Sequence, residues 1–228
     1  MSETLALPDL LRHAGAVMTE RDGCPVPAHY GSAPGELAVC FRNVGLAVRS
    51  DLGALSVTAS PAALDRLVDR ILGHPLLPGG AALEAGAWWC RGDDGLMLIA
   101  RPATLDRMAR AVRQDASRIG SAELLRRPDV VLGVIGRRTP AVLEALGVYE
   151  DPRTVAPFSV QPVLGHPVSW LLEAEVAALA LVDPAHVASV WQAIDDVGRP
   201  HGMSCVGIES IDRYVLTERA GRSGVTLL

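Results

Sequence analysis

The sequence predicts an α+β fold of two sheet-and-helix halves. Three observations carry this: a repeated strand-to-helix unit, further strand candidates between the repeats, and no Gly-rich phosphate loop after any strand. Four segments share one design: ALSVTASPAALDRLVDRIL, LMLIARPATLDRMARAVR, VLGVIGRRTPAVLEALG and ALALVDPAHVASVWQAI. In each, an apolar strand leads through Pro-Ala into an amphipathic helix, with the prolines at Pro61, Pro102, Pro140 and Pro184. Proline suits a first helical turn because its φ is preset and its missing N–H would have had no intrahelical acceptor. A doubly wound sheet is the rival. The nearest phosphate-loop candidate, GVIGRRTP, has neither the GxGxxG spacing nor a GK[ST] ending.

Taken in order, an N-terminal segment (residues 1–26) precedes a first half (27–120) and a second half (121–228). In the first repeat helix Leu64, Leu67, Val68 and Ile71 fall on one face, with Asp65, Arg66, Asp69 and Arg70 around the other. Leu105, Met108, Ala109 and Val112 form the same stripe, as do Val187, Val190, Trp191 and Ile194. Residues 85–90 and 167–172 are the extra strand candidates, and Gly92, Asp93, Asp94 and Gly95 between two apolar runs predict a hairpin turn. The halves are expected to meet around residues 118–129, where the apolar period fades. The Arg-rich stretch RQDASRIGSAELLRR there reads as a solvated helix face rather than an anion site.

Composition removes several classes of partner. Apolar residues make up 49% of the 228, enough for a core, while 21% are charged and the net charge is -5. No basic surface is expected for phosphates, and 4% aromatic residues offer few stacking faces, so nucleic acid is not an expected partner. No apolar run reaches bilayer length and the N-terminus has no basic, then long apolar, leader pattern, so no membrane partner is expected either. Cys24, Cys40, Cys90 and Cys205 are widely spaced, as in a reduced cytoplasmic protein, and the latter three sit among apolar neighbours. The six histidines show no HxxxH or HxH pairing beside a carboxylate, and no metal site is expected.

The stretch PAHYGSAPGELAVCFRNVGLAVRSDLGALSVTASPAALDRLV, residues 27–68, resembles the opening of the glycine-cleavage T-protein (aminomethyltransferase) family. Tyr30, Gly31, Glu36, Arg42, Gly45, Leu46, Ser50 and Gly53 fall in the family's register. LGVIGRRTPAVLEALG resembles the family's strand-Gly-helix opening of the second half. VDPAHVASVWQAIDDVGRPHGMSCVGIESIDRYVL resembles its later strand, Trp-bearing helix and Asp-containing helix. The resemblance runs from residue 27 to 217. It implies two ferredoxin-like halves of the aminomethyltransferase folate-binding fold, with tetrahydrofolate as the implied cofactor. Full-length family members continue into a C-terminal barrel that closes one side of the folate channel, so a pocket here is expected to be more open or closed by a partner.

The site departs from the family pattern at three places. The family's Gly-Gly-x-x-Asp-Asp loop corresponds to GGAALEAGAWWCRGDDG; with the strand AWWCR in register, Glu84 is the remaining acid there, and this is favoured over taking Asp93 and Asp94 as the family's pair, which misplaces the strand before them. The signature Arg-Thr-Gly-Tyr-Thr-Gly-Glu lines up with residues 169–175, of which only Glu175 matches. A carboxylate there accepts both hydrogen bonds from a 2-amino-4-oxo pterin edge. The alternative is that Glu173 and Glu175 share the solvent face of an edge strand. The family's Arg before Asp is Ile211, with Asp212 retained; Arg213 lies about 100° away around a helix. Trp88 and Trp89, adjacent in a strand, face opposite ways, so that one can line a pocket and the other the core; Trp170 can stack on a planar ligand or pack inside. His29 and Tyr30 sit on a loop where acid-base residues gather, or they cap the structure locally. The candidates are thus Glu84, His29 and Tyr30 for catalysis, and Glu175, Trp170, Trp88 and Asp212 for ligand binding.

Three functions fit this reading: a folate-linked one-carbon transferase or demethylase, a folate-independent enzyme of specialised metabolism on the same fold, and a non-catalytic subunit. The last resembles the small folate-fold subunit of sarcosine oxidases. The lining residues Trp170, Leu171, Leu172 and Ala174 are more apolar than the family's. A homodimer or partner subunit is expected if an apolar patch is left exposed.

Overall fold

The computed structural model describes residues 6–119, 122–148, 156–173 and 177–222. In chain order the elements are α1 (Leu7–His13), β1 (Val17–Arg21), β2 (Cys24–His29), α2 (Ala33–Arg42), β3 (Val44–Val48), β4 (Gly53–Thr58), α3 (Pro61–Leu72), β5 (Ala81–Glu84), β6 (Ala87–Arg91), β7 (Leu96–Ala100), α4 (Pro102–Ile119) and β8 (Glu123–Arg127). There follow β9 (Val130–Ile135), α5 (Thr139–Ala145), β10 (Phe158–Val163), β11 (His166–Glu173), β12 (Ala177–Val182), α6 (Val187–Gly198), β13 (Met203–Cys205) and α7 (Ile208–Arg222).

The predicted α+β class holds, and all four repeats are strand-to-helix units: β4–α3, β7–α4, β9–α5 and β12–α6. Pro61 and Pro102 open their helices and Pro140 is the second residue of α5. Pro184 differs. The Asp183 carboxylate accepts from the Ala185 N–H at 2.8 Å, and His186 N–H donates to the Asp183 carbonyl, forming a turn that delays the start of α6 to Val187.

Apart from the two-stranded β1–β2 hairpin, the strands fall into a five-stranded antiparallel sheet, β5-β6-β7-β4-β8, and a six-stranded sheet, β10-β11-β12-β9-β3-β13, in which only β13–β3 is parallel. Each sheet draws strands from both sides of Ile119: β8 sits beside β4, and β3 lies between β9 and β13. The outer faces carry the repeat helices on the predicted stripes. Leu64, Leu67 and Val68 of α3 and Leu105, Met108, Ala109 and Val112 of α4 pack on Leu55, Trp89 and Leu98. Val187, Val190, Trp191 and Ile194 of α6 pack on Leu132, Val134, Trp170 and Ala180.

The inner faces meet through Ala54, Cys90, Met97 and Ile99 on one sheet and Val131, Leu171, Leu179 and Leu181 on the other. The remaining inner face of the six-stranded sheet, at Ala47, Ile135 and Ala177, is covered by α2 and α7 through Cys40, Ile208, Ile211 and Tyr214. One sheet face thus has two covers side by side, and the seam between them is where a cleft opens.

Five elements, α1, β1, β2, β5 and β10, are not marked in the sequence. α1 and the hairpin β1–β2 occupy most of the N-terminal segment, and β5 and β10 complete hairpins with the expected extra strands, observed as β6 and β11. Strand β11 is therefore internal, not an edge. Residues 92–95 form the predicted turn, with Gly92 N–H on the Gly95 carbonyl. The Arg-rich stretch is half helix α4 and half the exposed edge strand β8.

Candidate functional site

Strand β7 ends at Ala100, strand β11 at Glu173, and helix α7 packs on the inner face of the six-stranded sheet. Around their meeting point lies a cleft of about 600 Å³, within the range of small-molecule sites. Its walls are Trp88, Leu83 and Ile99 from the five-stranded sheet, Leu179 and Glu173 from the six-stranded sheet, and Ile211, Asp212, Val215 and Leu216 from α7. Arg49 and Leu52, after β3, Arg101, just before α4, and Thr104, in its first turn, also line it. A mainly apolar trough with two arginines and two carboxylates suits a planar, amphipathic molecule that also carries charge.

Period-two alternation decides which candidates arrive there. Trp88 faces the cleft while its neighbour Trp89, wholly inaccessible to solvent, packs under α3 and α4, as the alternation requires. Leu83, paired with Trp88 across the β5–β6 hairpin, also faces the cleft; Glu84 is therefore turned to the opposite side, paired with Ala87 and exposed. Glu84 is not in the cleft, and the acids that are there are Glu173 and Asp212. Along β11 the even residues Val168 and Trp170 enter the core beneath α6, so Trp170 is a core residue with no exposed surface rather than a stacking platform. The odd positions Leu171 and Glu173 take the inner face. Glu175 lies outside the described residues. The indole N–H groups of the buried Trp89 and Trp170 have no hydrogen-bond partner among the described residues.

His29 ends β2 and its Nδ1 accepts from the Gly31 N–H at 3.2 Å. The Tyr30 ring packs at the edge of the outer core, and burial, followed by the Cys205 and Glu36 charges, raises its hydroxyl pKa well above the usual value. Neither residue lines the cleft. The acid of this segment is Glu36, buried on α2. Its Oε1 accepts from Tyr30 N–H at 2.6 Å, and its Oε2 accepts from Gly207 N–H at 2.8 Å and from the Ser210 hydroxyl at 3.3 Å. It places an anion at the start of α7, where the helix dipole favours one. Gly207 is required there because a Cβ would run into the Ala28 backbone. Glu36 thereby fixes the position of the helix that bears Asp212.

Asp212 carries a second connection that the sequence did not reveal. Arg21, the last residue of β1, donates to both its carboxylate oxygens, at 3.1 Å through Nη1 and more closely through Nη2. The same guanidinium lies 3.8 Å from Asp51, a carboxylate with no exposed surface that receives Arg49 Nε at 2.8 Å and Nη2 at 3.0 Å. Burial pushes the Asp51 pKa up, but the Arg49 hydrogen bonds and the Arg49 and Arg21 charges outweigh it and leave the pKa below the ordinary value. The legible signal was Arg49-Ser50-Asp51 directly after an all-apolar strand. The thiols of Cys40 and Cys205 are pushed up to about 12, mainly by burial, and that of Cys90 higher still, so none is a poised nucleophile. Among the described residues no three His, Cys, Asp or Glu side chains converge as metal ligands, and no helix is long and apolar enough to cross a membrane.

No family model matches the chain. A curated aminomethyltransferase of Streptomyces avermitilis is 26% identical over 231 residues, covering 91% of this chain and 60% of that protein. Among solved structures, the glycine cleavage system aminomethyltransferase T of Bartonella henselae aligns with a TM-score of 0.71 at 16% identity, over 91% of this chain and 61% of that one. A chain of the heterotetrameric sarcosine oxidase of Corynebacterium sp. U-96, in complex with pyrrole 2-carboxylate, aligns with a TM-score of 0.56 at 19% identity, over 74% of this chain and 92% of that one. The chain is T-protein-like: it carries the aminomethyltransferase folate-binding fold, diverges strongly in sequence, and spans about three fifths of the length of its curated relative.

Proposed function

We propose that this protein binds tetrahydrofolate, or a small molecule of similar shape and polarity, in the cleft between the two sheets and α7, as an aminomethyltransferase-like protein of one-carbon metabolism. The observation that carries the reading is the juxtaposition of Trp88 with Glu173 across a cleft of about 600 Å³. An indole face stacks on a pterin ring, and a carboxylate accepts the paired N–H donors of its 2-amino-4-oxo edge. Glu173 thus takes the role assigned from the sequence to Glu175. The residues present fit the cofactor, which when bound would carry the one-carbon unit. The activity is transferase-like, one-carbon transfer or demethylation, with a non-standard active site. The second carboxylate of the cleft, Asp212, is held bidentately by Arg21. Four unpaired cysteines fit a reducing, cytoplasmic setting.

Titration with 5-formyltetrahydrofolate tests this. Trp88 is the half-buried tryptophan of the cleft, whereas Trp89, Trp170 and Trp191 are buried in the cores. Saturable quenching of tryptophan emission that disappears in Trp88→Phe is the expected result; an unchanged spectrum up to millimolar ligand rejects folate and leaves a folate-independent enzyme of specialised metabolism on this fold.

A second reading is a subunit role, favoured by the 92% coverage of a chain from a heterotetramer and by the exposure of Leu83 and Leu216 at the rim of the cleft. Copurification of the tagged protein with a stoichiometric flavoprotein or dehydrogenase chain would favour it over a self-sufficient enzyme.

A further inference from the structure

The tip of the β1–β2 hairpin is tied by ion pairs to two residues that line the cleft, Asp212 and Arg101. Its turn residues, Asp22 at φ 51° and Gly23 at φ 78°, make the tight two-residue connection that lets Arg21 and Asp22 project side by side. Arg21 binds Asp212 of α7, and the Asp22 carboxylate reaches Arg101, just before α4, at 3.4 Å. The hairpin is otherwise loosely held on this side: β1 pairs with β2 alone, and Val17 and Met18 are each 48% exposed.

The two arginines of the cleft are not equivalent. Arg49 is 14% exposed and locked on buried Asp51 by two hydrogen bonds, whereas Arg101 is 48% exposed and holds Asp22 by one long contact. Arg101 stands immediately before the 18-residue helix α4, whose first-turn Thr104 also lines the cleft, so the helix dipole adds to its charge at the same spot. We propose that Arg101 is the anion-binding residue of the cleft and that Asp22 is its intramolecular placeholder. A ligand bearing a carboxylate or phosphate group takes Arg101 in exchange for Asp22, freeing one side of the hairpin tip while Arg21 keeps the other side tied to Asp212. The exchange is favourable because an exposed ion pair of this kind is weak, while a ligand anion seated in a partly closed cleft can engage the guanidinium fork bidentately. The cleft therefore selects an amphipathic ligand with a ring at Trp88 and an anionic end at Arg101. This rests on the cleft being a ligand site, not on that ligand being a folate.

Two charge-neutral variants, each with a thermal melt to show retained folding, test the exchange by calorimetry with 5-formyltetrahydrofolate, which has a dicarboxylate tail, and 6-hydroxymethylpterin, which has none. Arg101→Gln is expected to weaken the tailed ligand roughly tenfold or more, and Asp22→Asn to tighten it about two- to fivefold, with the tailless pterin unchanged in both. Asparagine keeps the left-handed turn conformation. Equal weakening of both ligands by Arg101→Gln, or no gain with Asp22→Asn, overturns the proposal. Should neither ligand bind the wild-type protein, the folate reading falls and the Arg101 assignment is decided by amide hydrogen exchange with glutarate as the probe. Exchange at residues 21–24 is expected to accelerate in the wild type and not in Arg101→Gln, and no acceleration overturns it.

Discussion

At the scale of single residues, two buried carboxylates organise the site without entering it. Glu36 satisfies backbone donors from two separate segments, Tyr30 after β2 and Gly207 before α7, and lies near the Ser210 hydroxyl, which also reaches the Ala33 carbonyl. Glu36→Gln replaces one acceptor oxygen with an N–H₂ group that faces donors already in place, so at least one buried N–H is orphaned. The expected cost is about 1–3 kcal/mol in urea unfolding. Because the loss falls at the start of α7, amide exchange in α7 should rise more than in α6; a uniform rise would argue against this role. Asp51 behaves differently because its state depends on pH. Its pKa is depressed in the folded protein, so its stabilising contribution is present above the ordinary value of about 3.9 and is lost as pH falls through the lower folded value. Arg49→Gln leaves Asp51 buried with Arg21 at 3.8 Å as its remaining cation. The variant should be less stable at pH 7 by about 3 kcal/mol, and circular dichroism should show its acid unfolding at higher pH than that of the wild type. A stability difference that stays constant from pH 7 down to pH 3 would show that Asp51 is not the coupled group.

At the scale of elements, the legibility of the sequence follows from how strongly each segment specifies itself. The repeat helices were readable because a 3.6 period and an N-terminal proline act together, and the stripes Leu105, Met108, Ala109, Val112 and Val187, Val190, Trp191, Ile194 lie buried as read. Trp88 and Trp89 separated onto opposite faces by alternation alone. The hairpin β1–β2 was not readable because β1 has no apolar alternation to find: nearly all of VMTER is exposed. The same alternation that placed Trp88 excluded Glu84, but only once the register Leu83 to Trp88 was known, since a one-residue slip would have exchanged the two. Arg49 and Arg101 went unnoticed because each follows an apolar strand, a position where a charge is ordinary; their convergence on one cleft depends on pairing between distant strands.

At the scale of the whole molecule, the two sheets are built from strands that interleave along the chain, and this bears on how the halves marked by the repeats behave. A fragment ending at Ile119 would contain β1 to β7 and α1 to α4, yet β3 would lose both its neighbours, β9 and β13, and β4 would lose β8. Helix α2 would lose α7, leaving the inner faces of Cys40 and Ala47 open to water. An all-apolar, fully buried strand such as β3 without neighbours presents unpaired backbone on two edges and apolar side chains on two faces. The fragment is therefore expected to lack a cooperative transition and to aggregate, while the full chain should unfold in one step with calorimetric and van't Hoff enthalpies in agreement. The cleft depends on the same interleaving, because Trp88 and Arg101 precede Ile119 while Glu173 and Asp212 lie beyond it. Independent two-state melting of the fragment by circular dichroism would mean that the first half is a separable folding unit and that the cleft forms by docking of finished parts; its absence, with a single transition in the full chain, would mean that site and fold form together.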